Sequence, residues 1–223
     1  MRIAPPTLIV LAALSTSPHV LAQGNSNKPK TSTVTLDAAP NPVVFGSVTT
    51  LTGTVAGPTN AGTVVRFEQD TTKPYGDQYK PIAQTATTNN AGKFTVAFKP
   101  SVNTQVRAIA QASPPVTSGP RLVLVRSLVG LRVSDSTPRR GSLVTFSGSV
   151  YPAHDGQRAL IQRRTSSGGW TTVARPVLQD AGTTRSKYTR RIRIFRDAVY
   201  RVKVAGDADH VNGYSKTRSL RIG

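Results

Sequence analysis

The chain contains no cysteine. A disulfide and a thiolate metal site are both excluded, and an exported fold would have to rest on its core alone. Acidic residues are scarce, ten in 223, and Glu68 is the single glutamate. Glu68 and Asp70 are the nearest approach to a glycosidase-type carboxylate pair, and at a strand end they read as a solvated pair. There are three histidines. His19 falls in the N-terminal segment, which leaves His154 and His210. No serine sits in a nucleophile elbow, and no Walker or dinucleotide phosphate loop is present. No catalytic residue and no cofactor is assigned, and the chain reads as non-enzymatic. Apolar runs are short as well. None reaches the roughly 18 residues that a membrane-spanning helix needs.

What is present is a pattern that occurs twice. Residues 46–55 read GSVTTLTGTV and residues 141–150 read GSLVTFSGSV, 95 positions apart. Leu51, Gly53 and Val55 alternate with Thr50, Thr52 and Thr54. Val144, Phe146, Gly148 and Val150 alternate with Thr145, Ser147 and Ser149. This period of two predicts a half-buried strand with a hydroxyl-bearing outer face. The leading Gly-Ser predicts a turn, and the inner glycine a bulge or a close backbone approach. Ala159 and Ile161 match Val65 and Phe67, and Asp180-Ala181-Gly182 matches Asn90-Ala91-Gly92. Short alternating runs separated by Gly, Pro and Asn every 8–12 residues, with no helical stripe, point to a β-sandwich.

The expected organisation is all-β, with two tandem β-sandwich domains after a signal peptide. Residues 1–22 have the features of a secretory signal: Arg2, the apolar stretch Leu8 to Leu14, Pro18, and Val20-Leu21-Ala22 at the cleavage position. Residues 23–32 read as a flexible leader. The first domain is expected over 33–126 and the second over 127–223, beginning with an alternating strand at Val129, Leu131 and Val133. A connection this short should restrict relative motion.

The motif Gly-Ser-x-x-Thr, an apolar residue, Ser/Thr-Gly-Ser/Thr-Val, then a strand and Asn/Asp-Ala-Gly, resembles bacterial immunoglobulin-like repeat domains of exported and cell-surface proteins. Residues 88–98, TNNAGKFTVAF, are also similar to carboxypeptidase-regulatory-like β-sandwiches. Asp197-Ala198-Val199-Tyr200-Arg201-Val202 resembles the tyrosine corner of immunoglobulin-like folds, which implies that the Tyr200 phenol bonds back to main chain. Thr104 stands at the aligned position of the first domain. The resemblance covers residues 33–222 and implies a fold, whereas function has to come from a site.

The net charge is +19 and unevenly spread. Residues 1–120 hold 9 basic and 4 acidic side chains, and residues 121–223 hold 20 and 6. A field of this sign attracts polyanions. Along Arg190 to Arg196, Ile192 and Ile194 should face inward, leaving Arg191, Arg193 and Phe195 outward. Arg163, Arg164, Arg190, Arg191, Arg193, Arg196 and Arg201 are the candidate anion contacts, forming one basic sheet face if their strands are neighbours. The alternative for these arginines is a solvated exterior. Asp207-Ala208-Asp209-His210 holds two carboxylates and one imidazole, short of the six to eight oxygens of calcium or the three or four ligands of zinc, and no metal is assigned. His154-Asp155 reads as a turn pair. The expected function is a secreted structural or adhesive module contacting anionic envelope polysaccharide or another polyanion. Extracellular nucleic-acid binding, or service to an enzyme in trans as an accessory domain pair, are the alternatives.

Overall fold

In the computed structural model, residues 31–58 and 60–223 are described. The signal peptide expected at 1–22 lies outside the described residues, as do Thr59 and all but the last two positions of the leader. Among the described residues there is no helix, and the chain is built from short strands in several sheets.

The duplicated pattern forms the central strand of one sheet in each half. Thr49–Ala56 pairs antiparallel with Lys93–Phe98, and Thr33–Val34 and Asp37–Ala39 lie along its other edge. Leu143–Tyr151 pairs with Ser186–Arg193, and Leu128–Val129 and Arg132–Val133 take the corresponding edge. Facing these are two further sheets. Val64–Asp70 lies between Lys80–Thr87 and Thr104–Ala110. Ala159–Arg164 lies between Trp170–Ala174 and Ala198–Val204. Each facing sheet is extended by short strands, Arg121–Val123 and Val116–Thr117 in the first half, Gly213–Tyr214 and Arg218–Leu220 in the second.

Two separate apolar clusters are buried between these layers. The first contains Leu51, Val55, Val65, Phe67, Phe94 and Val106, with Phe67 and Phe94 edge to face at 5.8 Å. The second contains Val144, Phe146, Ile161, Tyr188, Tyr200 and Val202, with Phe146 and Tyr200 edge to face at 5.0 Å. Each such side chain contributes roughly 1.5–3 kcal/mol on burial. With no disulfide, these two clusters and the strand ladders carry the stability.

The inner glycines mark a close approach. The ladders run through Gly53, opposite Phe94, and Gly148, opposite Tyr188, without a shift of register. A Cβ on Gly53 would run into the Thr35 carbonyl and the Phe94 ring, and one on Gly148 into the Gly130 carbonyl. This has a consequence for the strand expected from Val129 to Val133. It is interrupted at Gly130 and Leu131, where the Gly130 carbonyl turns away to accept the Tyr188 phenol at 2.7 Å.

That bond also corrects the tyrosine-corner expectation. The phenol that reaches main chain is Tyr188, not Tyr200. Burial raises the Tyr200 phenol above its ordinary value, while the Arg163 guanidinium that bonds it, and Arg196, act in the opposite direction.

Between the halves, Val125–Arg126 runs parallel to Val43–Val44, and the chain passes through Ser127 into Leu128–Val129. A loop of the second half packs here. Val211 donates its amide to Val125 O at 2.8 Å, and Asn103 donates its own amide to Asp209 O at 2.7 Å.

Candidate functional site: a cationic groove and a His–Asp–His cluster

The seven candidate arginines do not form one face. Ser186–Arg193 pairs with Leu143–Tyr151 and Gln179–Asp180, so Arg190, Arg191 and Arg193 belong to one sheet, and Arg196 lies in the turn beyond it. Arg163, Arg164 and Arg201 belong to the opposed sheet. Ile194 is buried and Ile192 half-buried, while Arg190, Arg191, Arg193, Phe195 and Arg196 are exposed. Arg193 donates to Gly141 O at 2.8 Å. Arg163 continues the inward parity of Ala159 and Ile161 and ends at the Tyr200 phenol. Arg201 is held flat, its guanidinium carbon 4.1 Å from the Trp170 ring centre and 4.6 Å from that of Tyr214, with Nε donating to Gln162 Oε1 at 2.9 Å. Strand order separates what sequence spacing had grouped.

A different set of cations does converge. Over Gly148 and Tyr188 lies a groove of about 860 Å³ lined by Arg132, Arg185, Lys187, Lys216 and Arg218, with no carboxylate among its lining residues. Arg218 Nε donates to Leu131 O at 3.3 Å, and Arg185 reaches the Tyr151 hydroxyl at 3.3 Å. The first half has a groove of about 660 Å³ at the corresponding glycine, Gly53, lined by five threonines, Leu36, Phe94 and Asn89, with Asp37 and Lys93 as its charges. The interruption beside each glycine thus opens a depression in each half, and only the second is cationic. Among the described residues, the Arg–carboxylate pairs are Arg107–Glu68 at 2.6 Å and Arg121–Asp37 at 2.8 Å, both before residue 127. Among the described residues, the arginines and lysines from 127 onward form no ion pair with a carboxylate.

Glu68 and Asp70 are not a solvated pair. Glu68 holds Arg107, which also lies over the Tyr79 ring at 3.9 Å. Asp70 is buried, and its carboxylate accepts the amides of Thr72, Gly76 and Gln78 at 3.0, 2.7 and 3.2 Å. Those bonds, that of Thr72 foremost, hold its pKa below the ordinary carboxylate value.

The second constellation is one that sequence spacing left in two pieces. His154 and Asp155 do lie at a turn, with Gln157 donating to His154 O at 3.1 Å. The same turn aims the His154 ring at the loop holding Asp207 and His210. His154 Nε2 lies 3.1 Å from Asp207 Oδ2, and His210 Nδ1 lies 3.4 Å from Asp207 Oδ1. The two imidazoles stand edge to face at 5.4 Å. Both histidines are 6% exposed, and the Asp207 side chain about a third. Ser186 secures the turn by accepting the His154 amide at 2.7 Å and donating to Asp155 at 2.5 Å. Burial opposes ionisation of Asp207, but the amides of His210 and Asp209 and the two imidazoles outweigh it, and its pKa is lowered. Three buried side-chain polar atoms have no hydrogen-bond partner among the described residues, Arg126 Nε, Ser127 Oγ and His210 Nδ1. His154 was missed as a companion of His210 because 56 residues separate them. The available signal was the pair of histidines remaining after residue 22, each beside an aspartate.

No protein-family model matches the chain, and no curated protein matches it.

Proposed function

We propose that the chain is an exported, non-enzymatic structural or adhesive protein of two tandem immunoglobulin-like β-sandwich domains, 33–126 and 127–223, whose second domain holds an anionic polymer in the groove above Gly148. The ligand class is an acidic glycan or another anionic envelope polymer. One observation carries this reading: matching grooves lie above Gly53 and Gly148, and the second is lined by five cations and no carboxylate. Unpaired surface cations repel one another, so gathering them around a concave surface favours a polyanion there. Arginine forks suit carboxylate, sulfate and phosphate groups alike. The groove has neither a recognition helix nor a row of stacking aromatics, which favours an acidic glycan over nucleic acid.

The test is retention on immobilised polygalacturonate, with duplex DNA as comparator, across a salt series. Retention should fall as salt rises and be largely lost by about 0.5 M, where exposed charges are screened. Replacing Arg185, Lys187 and Arg218 with glutamine should abolish most of it, while replacing Arg190 and Arg191 should change it little. Salt-independent retention, or an undiminished triple variant, overturns the assignment. Stronger retention on DNA at equal salt replaces it with nucleic-acid binding.

A further inference from the structure

The ring nitrogens of the two buried histidines present a conflict of acceptors. His154 Nδ1 lies 2.8 Å from Pro152 O, and His210 Nε2 lies 2.9 Å from Ser101 O. A carbonyl only accepts, so each of these nitrogens carries the ring proton. In a neutral imidazole the other nitrogen is then a bare lone pair. Those other nitrogens, His154 Nε2 and His210 Nδ1, are the two that face Asp207. Its carboxylate also only accepts. With both rings neutral, three lone-pair donors converge with no hydrogen to share, and His210 Nδ1 is buried with no hydrogen-bond partner among the described residues. Protonating one ring gives Asp207 a single N–H and still leaves the other ring's lone pair facing it, and protonating both buries two imidazolium ions against one carboxylate, in a chain of net charge +19.

We propose that His154 Nε2, His210 Nδ1 and the Asp207 carboxylate bind one divalent first-row transition ion, of which zinc is the best fit. An ion accepts all three lone pairs at once and requires both rings to be neutral. The donor atoms lie within 4.8 Å of one another. Bonds of about 2.0–2.1 Å at a tetrahedral centre set donors roughly 3.3 Å apart; His154 Nε2 lies 3.1 Å from Asp207 Oδ2 and His210 Nδ1 3.4 Å from Asp207 Oδ1, so both carboxylate oxygens face the space between the rings. The outer contacts fit as well. Each ring gives its remaining N–H to a backbone carbonyl, the arrangement that fixes the tautomer of a metal-binding histidine. Asp207 Oδ1 is held by the amides of Asp209 and His210 at 2.9 and 2.7 Å. Two imidazoles and a carboxylate, without thiolate, suit zinc and its neighbours rather than calcium or magnesium.

The basic composition of the chain does not decide the local field. Asp155 and Asp209 flank the two histidines in sequence, and Arg126 pairs with Val211, next to His210. The exposed side of Asp207 leaves a fourth position open to water. The role is mechanical: His154 comes from one loop, Asp207 and His210 from another, and the His210 ring also bonds Ser101 in the first half. One ion fixes both loops at the place where the halves meet. This inference is independent of the groove assignment.

The test is titration of the untagged, chelator-treated chain with Co²⁺, followed by Zn²⁺. One equivalent of Co²⁺ should give visible absorption of the tetrahedral kind, and Zn²⁺ should bleach it. Asp207→Asn keeps the oxygen that accepts the two amides, so its circular dichroism should match the parent while affinity falls roughly tenfold or more. His154→Gln should act alike, and it decides the matter if Asp207→Asn alters the fold. No saturable binding near one equivalent, or parental affinity in His154→Gln, overturns the proposal.

Discussion

Tyr188 stands directly opposite Gly148 in the strand ladder, and its phenol donates past that glycine to the Gly130 carbonyl at 2.7 Å. The absence of a side chain at 148 lets the Gly130 backbone come close enough to accept. Gly148→Ala forces the two segments apart and should destabilise the chain by about 1–3 kcal/mol, the range for overpacking. Tyr188→Phe leaves the carbonyl without its donor and should cost about 1–3 kcal/mol. Burial holds the Tyr188 pKa far above the usual phenol range, so the donor persists through mild alkali. Urea midpoints of the two variants check both values, and a double variant should fall short of their sum because both act on one contact.

Arg201 lies between Trp170 and Tyr214 and is bonded to Gln162. A guanidinium held by two ring faces and a side-chain amide is a packing element before it is an anion contact. Arg201→Ala should lower stability by about 0.5–1 kcal/mol per lost ring contact. Trp170 is the single tryptophan, so its emission reports the change directly. The emission maximum should shift to longer wavelength, while retention on polygalacturonate should be nearly unchanged. A large loss of retention would return Arg201 to the binding surface.

Asp70 organises the loop that follows its strand through the amides of Thr72, Gly76 and Gln78. Its folded pKa is lowered from the ordinary value of 3.8, with the Thr72 bond the leading cause. A depressed carboxylate contributes stability that is fully present above the unfolded pKa and is lost as pH falls through the folded one. Amide exchange at Thr72, Gly76 and Gln78 should therefore quicken below about pH 4, before the rest of the first half responds. Asp70→Asn should show fast exchange at those amides at neutral pH as well. Exchange that follows global unfolding at every pH would remove Asp70 from this role.

How far the sequence reaches depends on the range of the interaction. Alternation at Leu51, Val55, Val144 and Phe146 marks buried strand positions because strand orientation is a local property with a period of two. The inner glycines could be read as close approaches for the same reason, since a missing side chain in an alternating run needs a local cause. The arginine grouping failed because it required knowing that Ser186–Arg193 pairs with Leu143–Tyr151 while Ala159–Arg164 pairs with Ala198–Val204, and pairing is non-local. Lys187 and Arg218 stand on different sheets, Arg218 beside Tyr200, and meet at one groove only where the two layers come together. His154 was visible as part of a turn pair and His210 as the end of the Asp207 to His210 motif, but their convergence on Asp207 depends on the Ser186 contact that fixes the first turn. The Tyr200 motif pointed to a phenol bonding main chain, and the bond occurs from Tyr188, where the partner carbonyl is released by a glycine.

Asn103 joins the two halves through both its backbone and its side chain. Oδ1 accepts the Val125 amide at 2.8 Å, the backbone N–H donates to Asp209 O at 2.7 Å, and Nδ2 lies 3.5 Å from Ala208 O. The side chain is buried, so a lost partner at Val125 N is not replaced by bulk water. Asn103→Ala should cost about 1–3 kcal/mol and leave the backbone bond to Asp209 in place. Asn103→Asp keeps an acceptor for Val125 while removing the donor toward Ala208, and it adds a buried charge beside Asp209. If the clasp matters through the acceptor, Asn103→Asp should retain more junction protection than Asn103→Ala at acid pH, where its carboxyl is neutral, and lose that advantage near pH 7. Limited proteolysis across residues 125–128 at the two pH values measures this. Equal cleavage of parent and Asn103→Ala would show that the parallel pairing of Val125–Arg126 with Val43–Val44 holds the junction by itself.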